Sequence, residues 1–560
     1  MQTHARGWSL WFVAAFPAVA GAQAPLVVPT VFPTIQSAIV AATNGATVLV
    51  LPGTYVENVD FLGKAITVRS ANGAAVTTID GNQAGTVVSF VASEPPTAVL
   101  EGFRLTNGRG VTHPGGGIQC DGASPTIRSC SITGNVGRAA TAGGAGGIHA
   151  TGSALRLADC DVFGNTGGAG GTGGAGGAYL APSATGPLLE RCRFDNNVGG
   201  IGTSGRGGCG GIEMLTLAST TTFTRCEITS NQGGNGATGG GTGGFDVYGP
   251  IAFFLPSVTL TNCIVVGNTG GNGGVGGDGG GTASRGIVLF NAFSTTIAGN
   301  ATGTPTPVAQ ATGGLTVGGW QLSSATLRNC ILWGNTRNGL PSDLYSNGIA
   351  ASAATCDIGA SMGTVFGTGN LSIDPLFVGL ATGDVHLTAS SPCRHTGGAF
   401  AGLLFDFEGD PRVVGPAIDI GADEYEVLAG SREDVALSVA VNGAFAAAVS
   451  PSPAPAASVV DVRVWSPGGS LAAGFTLLGL EGWLQPVPPV GPPALPELHM
   501  SAGASVLLTF GSGVGASGFT LPVTIPPGLA GIAARVQAFV LTPSAKNGAF
   551  AATAARDVVF

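Results

Sequence analysis

Charge is scarce in this sequence. Only 9% of its 560 residues are Asp, Glu, Lys or Arg, and lysine occurs just at Lys64 and Lys546. The formal net charge is −9. A protein that grips a phosphate backbone needs a dense basic face, so nucleic acid is excluded as a partner. Aromatic residues are sparse too, at 7%. Beyond residue 24 no apolar run is long enough and free enough of glycine to span a bilayer. Glycine, by contrast, reaches 97 and proline 34. The chain is still not disordered by composition, because 44% is hydrophobic and recurs in short β-branched runs. A chain of this length holds two or more domains unless it is built of repeats.

The first 24 residues, MQTHARGWSLWFVAAFPAVAGAQA, join Arg6 to an apolar stretch from Trp8 to Ala20 and then to Ala22-Gln23-Ala24. That is the pattern of a secretory signal peptide with an A-x-A cleavage site, so the mature chain is expected to start at Pro25, outside the cytoplasm.

A repeat occupies the middle of the chain. Cys130, Cys160, Cys192, Cys226, Cys263, Thr295 and Cys330 occupy one column, and five residues after each stands Asn135, Asn165, Asn197, Asn231, Asn268, Asn300 or Asn335. Two residues after the anchor come Ile132, Val162, Phe194, Ile228, Val265, Ile297 and Leu332. Apolar residues two apart mark a strand's inward face. A second strand before each copy, usually after Gly-Gly, supplies inward pairs such as Ile118/Cys120, Ile148/Ala150, Ile212/Met214 and Ile287/Leu289. The architecture that satisfies this pattern is a right-handed parallel β-helix, one coil per 30–37 residues. Asn suits both a left-handed corner and an amide ladder, while Cys acts as a small buried hydrophobe. Stacked cysteines would have parallel Cβ vectors that fit a disulfide poorly, so free thiols are expected. A bridge between Cys356 and Cys393, both read as outside the column, stays open.

FPTIQSAIVAATNGATVLVLPGTYVEN reads as a short amphipathic helix, with Ile35, Ala38, Ile39 and Ala42 on one face and Gly45 as its stop, followed by the strand Val48–Leu51. With GKAITVRS and TTIDG behind it, this segment resembles the opening of pectin-lyase-like β-helix proteins, where it caps the solenoid. IDPLFVGLATGDVHLTASSPC and GDPRVVGPAIDIGADEY resemble the closing segment of bacterial choice-of-anchor Q proteins. The resemblance covers residues 30–427. It implies a β-helix at the cell surface, and it implies no reaction and no catalytic residue. From 428 to 560 the runs VALSVAV, VVDVRVW, SVLLTF and ARVQAFVL between Pro/Gly turns read as a β-sandwich, a candidate sorting or attachment module. The domain expectation is therefore a signal peptide (1–24), a β-helix (25–427) and a sandwich (428–560), an all-β chain with one helical cap.

Chemistry has few places to sit. GxGxxG matches are a by-product of abundant glycine and carry no dinucleotide reading. GGVGGDG at 273–279 fits the start of a calcium-binding nonapeptide with Asp278 as ligand, but such repeats work in tandem and this one is single. No cofactor is expected otherwise. His113, His386 and His395 show no metal-ligand spacing. Outward positions after the Gly-Gly pairs run Gln119, His149, Tyr179, Glu213, Asp246, Val288 and Thr316. Stacking His149, Tyr179, Glu213 and Asp246 on successive coils would place two carboxylates close enough to act as an acid–base pair. The plainer reading is a solvated polar ladder. On the cysteine-bearing strand, Asp161, Arg193 and Glu227 alternate in sign, as cross-strand pairs prefer, and offer the ingredients of a lyase site without its motif. Trp333 and Phe163 stand outward, where an exposed Trp would stack on a sugar ring.

These observations favour an exported cell-surface β-helix acting as a structural or adhesive module, with polysaccharide or cell-envelope components as partners. The competing reading is an extracellular polysaccharide lyase or glycoside hydrolase. A net charge of −9 opposes an acidic-polysaccharide enzyme, which needs a positive cleft.

Overall fold

The computed structural model describes residues 24–425, apart from 183, 217–218, 250–255, 274–279, 287, 305–310, 319–323, 347–350, 401–402, 411 and 414–415, and beyond 425 only separate strands. Residues 1–23 and Asp278 therefore lie outside the described residues.

Three long sheets dominate. Sheet I has 13 strands, and sheets II and III have 11 each. One coil visits all three: Ile148–Thr151 in sheet III, Arg156–Ala158 in sheet I and Asp161–Phe163 in sheet II. Each strand pairs in parallel with its equivalent one coil on, so that Ala150 faces Leu180, Leu157 faces Leu189 and Val162 faces Phe194. The protein is thus a parallel β-helix. Its interior is a continuous column of side chains such as Ile148, Leu157, Val162, Phe194, Met214 and Phe223, each at most 1% exposed.

Three corners turn each coil, and the two that flank sheet II use left-handed backbone throughout the repeat. Between sheets I and II the residue before each cysteine-column position has positive φ, as at Asp159 and Arg191. After sheet II the left-handed residue is the one before the asparagine: Gly134, Gly164, Asn196, Ser230, Gly267, Gly299 and Gly334. The asparagine column itself is not left-handed, which corrects its expected corner role. Its work is hydrogen bonding. Asn135 Nδ2 donates to Asn165 Oδ1 at 3.0 Å, and the same link runs through Asn197, Asn231, Asn268 and Asn300 to Asn335. The last amide donates to Asp343 Oδ1 at 2.8 Å, so a buried carboxylate ends the ladder as an acceptor-only group.

All ten cysteines are free and buried. Each column thiol donates to the carbonyl two residues before it, as Cys160 Sγ does to Ala158 O at 3.2 Å. Thr295 repeats this bond to Phe293 O at 3.1 Å, which explains why a hydroxyl can stand in the column. Cys356 belongs to the column, contrary to expectation: Cys330 N–H points at its sulfur at 3.4 Å, and its thiol bonds Ala354 O. Cys393 bonds Asp357 Oδ2 instead, so no bridge joins the two. Burial pushes the Cys120 thiol up. Native protein is expected to show no fast-reacting thiol toward Ellman's reagent and all ten after guanidinium unfolding. A rapid native titre would sink the buried-column description.

One coil departs from the expected register. Sheet III takes Thr282–Gly286 there, with Asp246 facing Ala283, and Leu289–Phe293 belongs to sheet I. Val288 is therefore fully buried, not outward, and Leu289 is only part-buried, not an inward residue of sheet III. The apolar run after Arg285 is the next sheet's strand, while a weakly apolar stretch carries the sheet III pairing. Ile287 lies outside the described residues.

At the start, helix α1 (Ile35–Ala41) buries Ile35, Ala38 and Ile39. Thr34 and Ser37 form a capping box, and Glu57 accepts the Ile35 and Gln36 N–H groups at 2.9 and 3.0 Å. At the other end Lys64 Nζ donates to the carbonyls of Ile39, Val40 and Ala42 at 2.7–2.8 Å. One of the chain's two lysines thus neutralises a helix C-terminus. Lys64→Met is expected to cost about 1–2 kcal/mol in denaturant unfolding.

The glycine-rich inserts are arms that leave after the asparagine and return before sheet III. They stack on one another mainly by backbone bonds. Gly168 N–H donates to Gly144 O, Gly174 to Gly168, Gly200 to Gly174, Gly208 to Gly200 and Gly234 to Gly208, all at 2.8–2.9 Å. None of these glycines has positive φ. They are required because a Cβ on almost any of them would land on a neighbouring arm's carbonyl oxygen, closer than 3.0 Å.

The closing segment folds back along the outside of sheet II. Its hairpin (Phe377–Gly379 with Asp384–Leu387) and the turns after it cover Ile264, Val266, Ala298, Ile331 and Trp333. Asn262 Nδ2 donates to Phe405 O at 2.6 Å, Arg225 Nε to Phe407 O at 3.0 Å and Asn329 Nδ2 to Gly398 O at 2.8 Å. We call this segment the strap. It has little regular structure and satisfies its backbone with its own carboxylates. Asp406 Oδ1 accepts the Gly409 and Asp410 N–H groups, Asp419 accepts those of His395 and Tyr425, and Glu424 accepts that of Asp419. Arg412, 1% exposed, donates to the carbonyls of Asp419, Gly421 and Ala422. Arg412→Met is expected to destabilise by about 3 kcal/mol in denaturant unfolding, since three buried carbonyls lose their donor.

Beyond the strap, the described strands form a four-stranded and a five-stranded antiparallel sheet, including Val459–Trp465, Phe475–Trp483 and Ala533–Leu541. No helix among the described residues is long and apolar enough to cross a membrane.

Candidate functional site

The row on sheet III forms in register: Gln119 faces His149, His149 faces Tyr179, Tyr179 faces Glu213 and Glu213 faces Asp246. The His149 and Tyr179 rings stack at 4.8 Å with planes 19° apart. Burial, with help from the Arg138 charge, lowers the His149 pKa to about 4, so the ring is neutral at pH 7. Burial first, then the nearby Glu213 charge, raises the Tyr179 phenol. Neither group is poised to exchange a proton near neutrality.

The sequence places Glu213 and Asp246 as a candidate acid–base pair. Instead Asp246, 2% exposed, lies 2.5 Å from Arg206 Nη2. Arg206 comes from the arm of the preceding coil and also donates to Gly240 O at 3.2 Å and Thr242 Oγ1 at 3.0 Å. Other members of the row hold arms as well. Gln119 Oε1 accepts the Gly115 N–H at 2.9 Å, and Thr316 Oγ1 accepts the Thr312 N–H at 3.2 Å. Ala145 N–H points at His149 Nδ1 from 3.5 Å. Gln119, His149, Asp246 and Thr316 thus tether the glycine arms above the row. Sequence reasoning missed Arg138 and Arg206, although isolated cations inside glycine runs were the available signal.

A neutral, half-buried histidine makes stability depend on pH. Its folded pKa is depressed from the ordinary 6.5, so its contribution is intact above pH 6.5 and lost as pH falls toward 4. His149→Gln is expected to flatten the stability loss between those values by on the order of 2 kcal/mol, read from denaturant midpoints at each pH.

On sheet II, Asp161 faces Arg193, which faces Glu227. Arg193 Nε is 3.1 Å from Asp161 Oδ1, its Nη1 is 3.5 Å from Asp195 Oδ2, and its guanidinium lies 6.0 Å from the Phe163 ring centre. Asp161 is exposed, and Arg193, Glu227 and Phe163 are part-buried. Beside them Arg191 grips Asp159 through two bonds of 2.6 and 3.0 Å. Trp333 is on this sheet but under the strap, half-buried against the cluster of Ile331, Leu387, Cys393 and Ile420. It offers no open platform.

The strap holds a third group, built on a histidine for which the sequence shows no ligand spacing. His386 Nδ1 bonds Asp384, and its Nε2 lies 2.9 Å from Glu408 Oε1. Burial alone would lower the His386 pKa, but the charges of Asp423, Asp384 and Glu408 override it and hold it up at about 11.

No protein-family model and no curated protein matches the chain. Among solved structures, one similar chain is the enzymatically active domain of tailspike protein 4 of bacteriophage CBA120, at 10% identity and a TM-score of 0.20. The alignment covers 92% of this chain and 64% of that one. Overlap that low says nothing about activity, and the β-helix fold rests on the three parallel sheets.

Proposed function

We propose that this protein is an exported, cell-surface β-helix rod whose role is structural and adhesive, with glycans as the ligand class. The observation that carries this reading is the Asp246–Arg206 pair: the buried carboxylate of the row is engaged by a cation from a glycine arm. The uncovered part of sheet II, with Asp161, Arg193 and Glu227 beside Phe163, supplies hydrogen-bonding groups and an aromatic face for a sugar. Residues 1–24 act as the signal peptide, helix α1 caps the solenoid in the manner of pectin-lyase-like proteins, and the solenoid winds right-handed. The strap corresponds to the choice-of-anchor Q segment, and residues 428–560 form a β-sandwich that attaches the rod. A second reading, polysaccharide lyase or glycoside hydrolase, draws on the same sheet II patch, where two acids flank an arginine.

The test is incubation of purified protein with acidic and neutral polysaccharides, with and without calcium, following unsaturated-product absorbance and new reducing ends. No turnover is expected, with retention of at least one glycan that weakens roughly tenfold in Arg193→Ala. Turnover abolished by Glu213→Gln and Asp246→Asn, or by Asp161→Asn and Glu227→Gln, would replace the adhesive reading with the enzymatic one.

A further inference from the structure

The strap contains donors placed as a metal centre places them. One atom each from His386, Glu408 and Asp423 lies within 4.8 Å of the others, and both carboxylates are buried. The three residues come from separate parts of the strap: its hairpin, the turn after Phe405 and the terminal turn. We propose that His386 Nε2, Glu408 and Asp423 bind a divalent transition-metal ion of the zinc class, which staples these three parts together over sheet II.

The imidazole decides the metal class. Hard cations such as calcium and magnesium take oxygen ligands, whereas zinc and its neighbours accept one nitrogen and two carboxylates with bonds near ~2.0–2.2 Å. Asp384 contributes in the way an outer-shell carboxylate does, because its bond to Nδ1 fixes the ring with Nε2 toward Glu408. Binding exchanges a proton for the ion: the Nε2–H bond breaks, the proton leaves to solvent, and the nitrogen lone pair forms the metal bond. The +2 ion then faces two buried carboxylates and a third behind the ring. Three protein donors leave the fourth position of a tetrahedral ion to water. The centre anchors the strap where Arg225 already ties it to the solenoid through Phe407 O.

The experiment uses purified protein stripped with chelator and dialysed. Cobalt chloride titration of the unmutated protein is read first, because it needs no variant. Visible d–d bands saturating at about one equivalent are expected, with zinc displacing them. Zinc should also raise the thermal midpoint by at least about 2 °C, and calcium or magnesium should not. His386→Ala should abolish both signals. Glu424→Gln, in the adjacent cluster of His395, Asp419 and Glu424, should leave them intact. Absence of bands and of any zinc-dependent shift at millimolar metal overturns the proposal. Signals that survive His386→Ala but vanish in Glu424→Gln overturn it in favour of the adjacent cluster.

Discussion

Gly208→Ala is expected to abolish cooperative folding, or to lower stability by at least about 3 kcal/mol, although it adds one methyl group to a surface arm. The added Cβ would fall on Gly174 O, one arm away, closer than 3.0 Å. The oxygen cannot retreat without breaking the Gly174–Gly200–Gly208–Gly234 chain of backbone bonds. Nor can the methyl turn aside, because the arm is held by its neighbours on both sides. Gly122→Ala serves as the control. Nothing lies within 4 Å of its Cβ, and only its φ of +61° opposes the change, at about 1 kcal/mol. Circular dichroism during guanidinium titration separates the two. Equal costs for Gly208→Ala and Gly122→Ala would show that the arms are loose in solution.

The second large effect belongs to Asn231→Ala, expected to cost about 3–5 kcal/mol. Asn231 is 1% exposed and works in both directions along the ladder. Its Oδ1 accepts the backbone N–H and the side-chain amide of Asn197 at 3.0 and 2.9 Å. Its Nδ2 donates to Phe194 O at 2.8 Å and to Asn268 Oδ1 at 2.9 Å. Alanine strands these groups away from water. The same substitution at the less buried Asn58, whose amide donates to Thr86 O, should cost about 1 kcal/mol. A mid-ladder cost no larger than that would mean that the column is only a packing device.

What could be read in the sequence was whatever repeats. The cysteine and asparagine columns and most of the inward apolar pairs recur through successive coils, so stacking fixes their positions without further knowledge. Two features fell outside that reach. Arg206 meets Asp246 because arms of unequal length place it there, and arm geometry is not periodic in the sequence. The strap lies on sheet II through contacts between residues far apart in the chain, such as Asn262 with Phe405. A trace of it was present. Outward residues on the cysteine-bearing strand change from Asp161, Arg193 and Glu227 to Ile264, Thr296 and Ile331, a shift from charged to mostly apolar that marks a covered face. Read one copy at a time, it registered only as an outward Trp333. The asparagine's corner role was misjudged for a local reason, since a Gly-Asn pair does not say which member takes the left-handed turn.

The asparagine ladder points one way and stops at Asp343. Every coil between Asn135 and Asn335 presents the same acceptor to its predecessor and the same donor to its successor. A duplicated or deleted unit inside that span would therefore leave both ends chemically unchanged, while shifting the total length by about 4.8 Å per coil. Length in this molecule is an inheritable variable, open to drift by whole units, and the carboxylate marks the point from which those units are counted.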